Sequence, residues 1–241
     1  YIHFVEGFLN KETFKESKVI KERLLHLIEG TKSRIFLDTI ISPSYTSAIA
    51  QSIQLSGVSG KGNNLMLYEF SDEEPSTLDV AISNYQLLNA TEFDVCILRS
   101  TLRGFGYNRE IHVWISSEDY INANLMILVA YIMLGHPEWK NGFIKIYSVY
   151  PEGSYQEKRK EMLDLVSEGR LPISARNIKL IPQQDQNDLH GIINKNSADA
   201  DLTIIGFNDQ QMQKEGKNLF LGYSDLGNVT FVNAYEKKNI E

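Results

Sequence analysis

This 241-residue chain has a single cysteine, six prolines and a deficit of basic residues. The lone Cys96 can form no intramolecular disulfide, which fits a reducing compartment. It lies within the apolar stretch DVCILRS with no histidine partner apparent, so it reads as core packing rather than a nucleophile. The longest apolar run, ANLMILVAYIML at 123–134, falls short of the ~20 residues a bilayer-spanning helix needs. Direct membrane insertion by this sequence is therefore not expected, and no signal-peptide pattern opens it. Lysine and arginine total 24 against 31 aspartate and glutamate, a net charge of −7. That balance argues against nucleic acid as a partner and against tight adsorption to anionic lipid.

Catalytic and phosphate-binding motifs are also scarce. In LSGVSGKGNN (55–64) only Val58 and Ser59 separate Gly57 from Gly60, and Gly62 rather than Ser or Thr follows Lys61, so the spacing fails a P-loop. The order is reversed as well. A helical pattern through Ala48, Ile49, Ile53 and Leu55 precedes the loop, and the strand-like NNLMLYEF follows it, whereas phosphate loops leave a strand and open a helix. The loop reads as a helix stop. No Gly-x-Ser-x-Gly elbow occurs. His3, His26, His112, His136 and His190 show no metal-ligand spacing, so they read as surface or packing residues, and no metal or cofactor is expected. His136 falls where a helix should end before Pro137. In SDEEP (71–75), Ser71 and Asp72 read as a helix cap, and in SADAD (197–201), Asp199 and Asp201 flank the start of a strand.

What the chain does have is core material: 42 % hydrophobic residues and 10 % aromatic, enough for one large core or two small ones. Strand-like and helix-like stretches alternate throughout, as in a mainly parallel α/β sheet flanked by helices. Strands are expected at YIHFV, RIFLDTI, LMLYEF, DVCILRS, EIHVWIS, FIKIYSV, NIKLIP, ADLTIIGF and NVTFVNA, with helices at about 11–30, 43–57, LDVAISNYQLLN, YINANLMILVAYIML and EKRKEMLDLV. The stretches also repeat at an offset of about 130–145 residues, which predicts two pseudo-equivalent halves. Ile2 to Val5 then corresponds to Ile144 to Val149, and Leu65 to Phe70 to Leu202 to Phe207. The glycine-bearing link TLRGFGYNR (101–109) predicts a boundary dividing 1–103 from 104–241. The second half has an extra strand and helix at its start, EIHVWIS and YINANLMILVAYIML, so the first half is expected to lack its N-terminal strand and helix. The apolar helix is wider in its stripe than one sheet face requires, which predicts burial on two sides or a partner.

TSAIAQSIQLSGVSGKGNNLMLYEF, GFGYNREIHVWIS, NLMILVAYIMLGHPEWKNGFIKIYSV and LHGIINKNSADADLTIIGF, in that order, resemble the cytosolic C-terminal domain of cation-chloride cotransporters and their prokaryotic, amino-acid-permease-like relatives. The resemblance runs over about residues 1–235 and implies two universal-stress-protein-like α/β halves. It also implies attachment to the protein's own transmembrane domain on the cytoplasmic side of the cell membrane, a homodimer, and a regulatory rather than catalytic role. Tyr68-Glu69-Phe70 stands where the family ends a strand in Gly-Trp-Pro, which points to a divergent, prokaryotic member.

The alternative is a small-molecule or nucleotide-binding module of the universal stress protein type. GFNDQQMQKEGKNLFLGYSD departs from the ATP motif of those proteins: no second glycine follows Gly206 at the required position, and Tyr223 follows Gly222. A binding module or an α/β enzyme would need a cleft at the carboxyl ends of the strands, for which Ser116, Ser117, Gly206 and Asn208 are the candidates.

Overall fold

The computed structural model describes residues 1–30, 35–57, 62–116, 119–151, 153–168, 174–183 and 189–238. Two compact units emerge, Tyr1–Asn64 and Leu65–Glu241. The first holds β1 (Ile2–Glu6), α1 (Lys11–Ile28), β2 (Asp38–Ser42) and α2 (Tyr45–Ser52), with β1 and β2 paired in parallel. Asn10 starts α1, because its side-chain oxygen accepts the orphan amides of Glu12 and Thr13. Ser44 does the same for Ser47 at the head of α2.

The second unit contains β3 (Leu65–Ser71), α3 (Ser76–Ala90), β4 (Asp94–Ser100), β5 (Glu110–Trp114), α4 (Ala123–Leu134), β6 (Phe143–Pro151), α5 (Tyr155–Glu168), β7 (Ile178–Gln183), α6 (Leu189–Ser197), β8 (Leu202–Gly206), α7 (Asp209–Glu215) and β9 (Asn228–Asn233). Its seven strands lie in the order β3-β4-β9-β8-β5-β6-β7. All are paired in parallel except β4 and β9. Such a sheet is covered on both faces by its crossover helices, which explains near-continuous apolar runs such as LTIIG in β8, buried at every position. The core centres on Ile111 and Val113 of β5, Ile204 of β8 and Met126, Ile127 and Ala130 of α4, all of them fully enclosed.

The expected boundary at 103/104 is not where the units divide. Residues 101–109 form a turn inside the second unit, joining β4 and β5 of one sheet, and the division falls at 64/65. The physical reason is the β4–β9 ladder. It is centred on Ile97 opposite Phe231, with Val95 opposite Asn233 and Arg99 opposite Val229. These strands end the two sequence repeats, and the register places corresponding residues across a local pseudo-twofold axis. The antiparallel junction therefore ties the end of the first repeat into the sheet of the second.

Smaller expectations change too. The strand expected at RIFLDTI begins only at Asp38, and α2 stops at Ser52. Asp72 does not cap α3, whose N-terminal Pro75 makes no side-chain cap; it pairs instead with the buried Arg99. Of Leu125 to Leu134 in α4, only Ile132 is exposed, so the helix is largely covered from within its own unit. Ser59, Gly60 and Lys61 lie outside the described residues, although the order of helix before strand around that loop is as expected. Among the described residues no helix is long and apolar enough to cross a membrane.

Candidate functional site

β5 and β8 are neighbours whose chains continue to opposite sides, β5 towards β6 and β8 towards β9. The crevice beyond their carboxyl ends is the switch point at which open α/β sheets hold ligands. Ser116, Asp119 and Gly206 border the small cavity there. Asn208 plays another part. Its side chain accepts the Gln211 amide while Gln211 accepts the Asn208 amide, a reciprocal cap for α7. Ser117 lies outside the described residues.

Asp119 fills the place a ligand would need. Its Oδ2 accepts the Ser116 amide at 2.9 Å and the Ser116 hydroxyl at 2.6 Å, and its Oδ1 accepts from Asn122 Nδ2 at 3.3 Å. Asn122 also donates to the Phe207 carbonyl and accepts the Ala234 amide, so the carboxylate is fastened to the ends of β5, β8 and β9 together. A Cβ added at Gly206 would overlap the Asp119 carboxylate. Glycine is thus required here by close approach rather than by backbone angle.

The remaining cavity has a volume of about 40 Å³, bordered by Trp114, Asp119, Gly206 and Gln211. That is room for water; pockets for drug-sized ligands run to roughly 300–1,000 Å³. A carboxylate packed where backbone amides would have to meet phosphate also opposes an anion electrostatically. Lys158 is buried, pairs with Glu161 at 2.8 Å and lies over the Tyr120 ring. Burial holds its pKa below the ordinary lysine value, while the negative charge of Asp119 acts in the other direction.

A second polar cluster, which sequence reasoning missed, lies on β5. Alternation along the strand sends Ile111 and Val113 to the α4 face and Glu110, His112 and Trp114 to the other. His112 Nδ1 lies 2.8 Å from Ser197 Oγ, and its Nε2 lies 2.7 Å from Glu110 Oε1. Trp114 donates its indole N–H to Ser197 Oγ at 2.9 Å, and Lys145 pairs with Glu110. The directions follow from the donor inventory. A carboxylate only accepts, so Nε2 carries the proton, and Nδ1 of the neutral ring accepts from Ser197. The chain Trp114 to Ser197 to His112 to Glu110 is complete with a neutral imidazole.

Burial pushes the His112 pKa below its ordinary value, opposed by the hydrogen bond and charge of Glu110 and reinforced by the charges of Lys145 and Lys179. Burial alone would raise the Glu110 carboxyl, but its bonds to Lys145 and His112 outweigh that and lower it. Ser, His and Glu within hydrogen-bonding reach resemble a nucleophilic relay. Ser197 is wholly enclosed, however, and its oxygen already accepts the indole N–H, so no substrate carbonyl reaches it in this fold. The sequence signal was Glu-x-His-x-Trp, polar groups at every second position of an otherwise apolar strand.

Asp201 anchors the amino end of the sheet. Its carboxylate accepts the amides of Tyr107, Arg109 and Glu110, which fixes the 101–109 turn against the start of β5. Gly106, at φ 55°, lies close against that carboxylate. Cys96 is buried in the core, and burial pushes its thiol up to about 12, as expected of a packing residue. Among the described residues no three His, Cys, Asp or Glu side chains are placed to hold a metal ion.

With this geometry in place, comparison with known proteins identifies the architecture. The fold is universal-stress-protein-like. At 14% identity and a TM-score of 0.59, the structure is similar to the cytoplasmic domain of a prokaryotic cation chloride cotransporter, over 99% of this chain and 87% of that one. It is also similar to a universal stress protein from Archaeoglobus fulgidus, with 12% identity, a TM-score of 0.52 and coverage of 97% and 84%. A putative universal stress protein from Pseudomonas aeruginosa gives 15%, 0.54 and coverage of 95% and 91%. No protein-family model and no curated protein sequence matches the chain.

Proposed function

We propose that the chain is a regulatory and dimerising domain of a cation-chloride cotransporter-like secondary transporter, joined to its own transmembrane domain on the cytoplasmic side and without catalysis of its own. The observation that carries this reading over a nucleotide-binding module is the closed switch point. Asp119 packs against Gly206 where a phosphate would have to approach, and the space left suits water. Both readings share the fold. They differ in whether the crevice is open, and here Asp119 is held across it by hydrogen bonds from Ser116 and Asn122, with Asn122 in turn held by the Ala234 amide.

Dimerisation is part of this proposal, because closed two-fold assemblies are the commonest homo-oligomers. Within the second unit β4 and β9 already pair with each other, so a dimer must use another surface. Sedimentation across a wide concentration range tests it. A reversible dimer with a micromolar dissociation constant, about −8 kcal/mol, is expected. A species that stays monomeric at the highest soluble concentration would overturn the dimerising role.

A further inference from the structure

We infer that the turn at 101–109 is a peripheral anchor for an anionic lipid surface, with Leu102 and Tyr107 entering the headgroup layer and Arg109 meeting lipid phosphate. This rests on the proposed attachment to a membrane domain, which keeps lipid within reach of the chain.

Two large apolar side chains are held out in water by a turn that is otherwise fastened down. Leu102 is 94% exposed and Tyr107 85%. The backbone presenting them is bonded throughout. The Thr101 amide donates to Asn228 Oδ1 at 2.9 Å, and the Gly104 and Asn108 amides donate to the Thr101 and Phe105 carbonyls. The amides of Tyr107, Arg109 and Glu110 donate to Asp201. Gly104, Gly106 and Asn108 take positive φ, which folds the turn tightly. Phe105, between the two exposed residues, turns inward against Trp139. Phe143, 41% exposed, adjoins them, its amide donating to the Arg109 carbonyl. Single exposed apolar residues are ordinary, but a group of them on a rigid support marks a contact surface.

Charge selects the occupant. Residues 101–109 contain Arg103 and Arg109 and no acidic residue, in a chain whose net charge is −7. Arg103 donates to the carbonyls of Ala198 and Asp199, whereas the exposed Arg109 has no ion-pair partner among the described residues. Lys145 lies over the Phe143 ring, although Glu110 offsets its charge, and Asp199 is the exposed carboxylate at the margin. Leucine, tyrosine and arginine together suit a bilayer interface: the alkyl group and ring enter the apolar boundary while guanidinium and phenol hydroxyl stay among the phosphates. These side chains project instead of lining a groove. A fluid surface moulds around such a tip, whereas a protein would need a matching pocket. Because the chain as a whole is acidic, the contact is local and weak, and tethering beside a membrane supplies the effective concentration it needs.

The test is flotation of the full 241-residue chain with vesicles of equal parts phosphatidylcholine and phosphatidylglycerol. Leu102→Trp serves as a fluorescent reporter, since Trp114 and Trp139 are buried and give a constant background. Saturable binding is expected at low salt, with a dissociation constant on the order of a millimolar in accessible lipid and a blue shift of the reporter. Raising the salt or omitting phosphatidylglycerol should weaken it by about tenfold. Tyr107→Asp and Arg109→Glu should each weaken it by about fivefold or more, while Leu27→Asp, at a 70% exposed position on α1, should leave it unchanged. All these positions are exposed, so unaltered circular dichroism is expected of each variant. No flotation of the native chain, or flotation that Tyr107→Asp and Arg109→Glu leave intact, overturns the proposal. So does saturable binding of polyglutamate without binding of vesicles, which would make an acidic protein segment the occupant. Sedimentation reads the dimer without lipid, so failure of the anchor is distinguishable from failure of the proposed role.

Discussion

The two ends of β5 hold polar groups in opposite circumstances. At its amino end, Asp201 binds three backbone amides, and Glu110, His112 and Ser197 form a buried chain with every donor directed to an acceptor. At its carboxyl end, Asp119 is set against a glycine beside a small cavity. The end at which this architecture usually receives ligands is stoppered by a side chain of the protein. The end that usually serves only structure contains the grouping that looks most catalytic, and it is sealed. Access and room, more than the identity of the polar groups, decide what each end can do.

The largest effect expected on this contrast comes from Asp201→Ala. Three amides would lose their acceptor in a partly buried place, and each unsatisfied buried group costs about 1–3 kcal/mol. Chemical denaturation should show a loss of about 3 kcal/mol or more; a loss below about 1 kcal/mol would mean that water replaces the carboxylate there.

Gly206→Ala sharpens the contrast at the other end. Overpacking against Asp119 should destabilise the protein by about 1–3 kcal/mol. The same substitution made in Asp119→Ala should cost much less, so a double-mutant cycle should give a coupling above about 1 kcal/mol. Additive effects would show that Asp119 is not what fills the crevice.

A pH titration of stability probes the sealed relay. His112 has a folded pKa below its unfolded value, so the unfolded chain takes up its proton first. The contribution is complete above the unfolded value of about 6.5 and is lost as pH falls from there towards the folded pKa. Glu110, also lowered in the fold, contributes stability that is present above its unfolded value of about 4.3 and is lost as pH falls through its folded pKa, so its loss begins at lower pH than that of His112. His112→Gln should flatten the pH dependence between about 6.5 and 4.5. An unchanged slope in that variant would assign the loss to another group.

The smallest effect is expected from Lys217→Ala, which removes a bridge to Asp79 between two substantially exposed side chains. The stability change should stay within about 0.5 kcal/mol. A larger value would raise the importance of surface pairs relative to the buried clusters.

The elements of the fold were legible because parallel strands buried on both faces leave unmistakable apolar runs, such as LTIIG and DVCILRS, separated by periodic helices. Their grouping was not. The antiparallel register of Ile97 with Phe231 joins segments far apart in sequence, and it moved the division of the chain from 103/104 to 64/65. Asp72 was misread for a similar reason: its partner Arg99 lies on the neighbouring strand, where local capping rules cannot find it.

The sequence offers Ser116 and Gly206 as the lining of an open cleft, whereas the cavity they border is small. The stopper, Asp119, is only three residues from Ser116, and a Ser-x-x-Asp pairing is a local signal that could have been read. What no pattern revealed was that this carboxylate would turn towards a glycine on β8.

The most direct measurement is calorimetric titration of the full chain with magnesium ATP. With Asp119 packed on Gly206, no saturable heat is predicted. Stoichiometric binding with a micromolar dissociation constant, about −8 kcal/mol, would show that the crevice opens to nucleotide and would contradict the account.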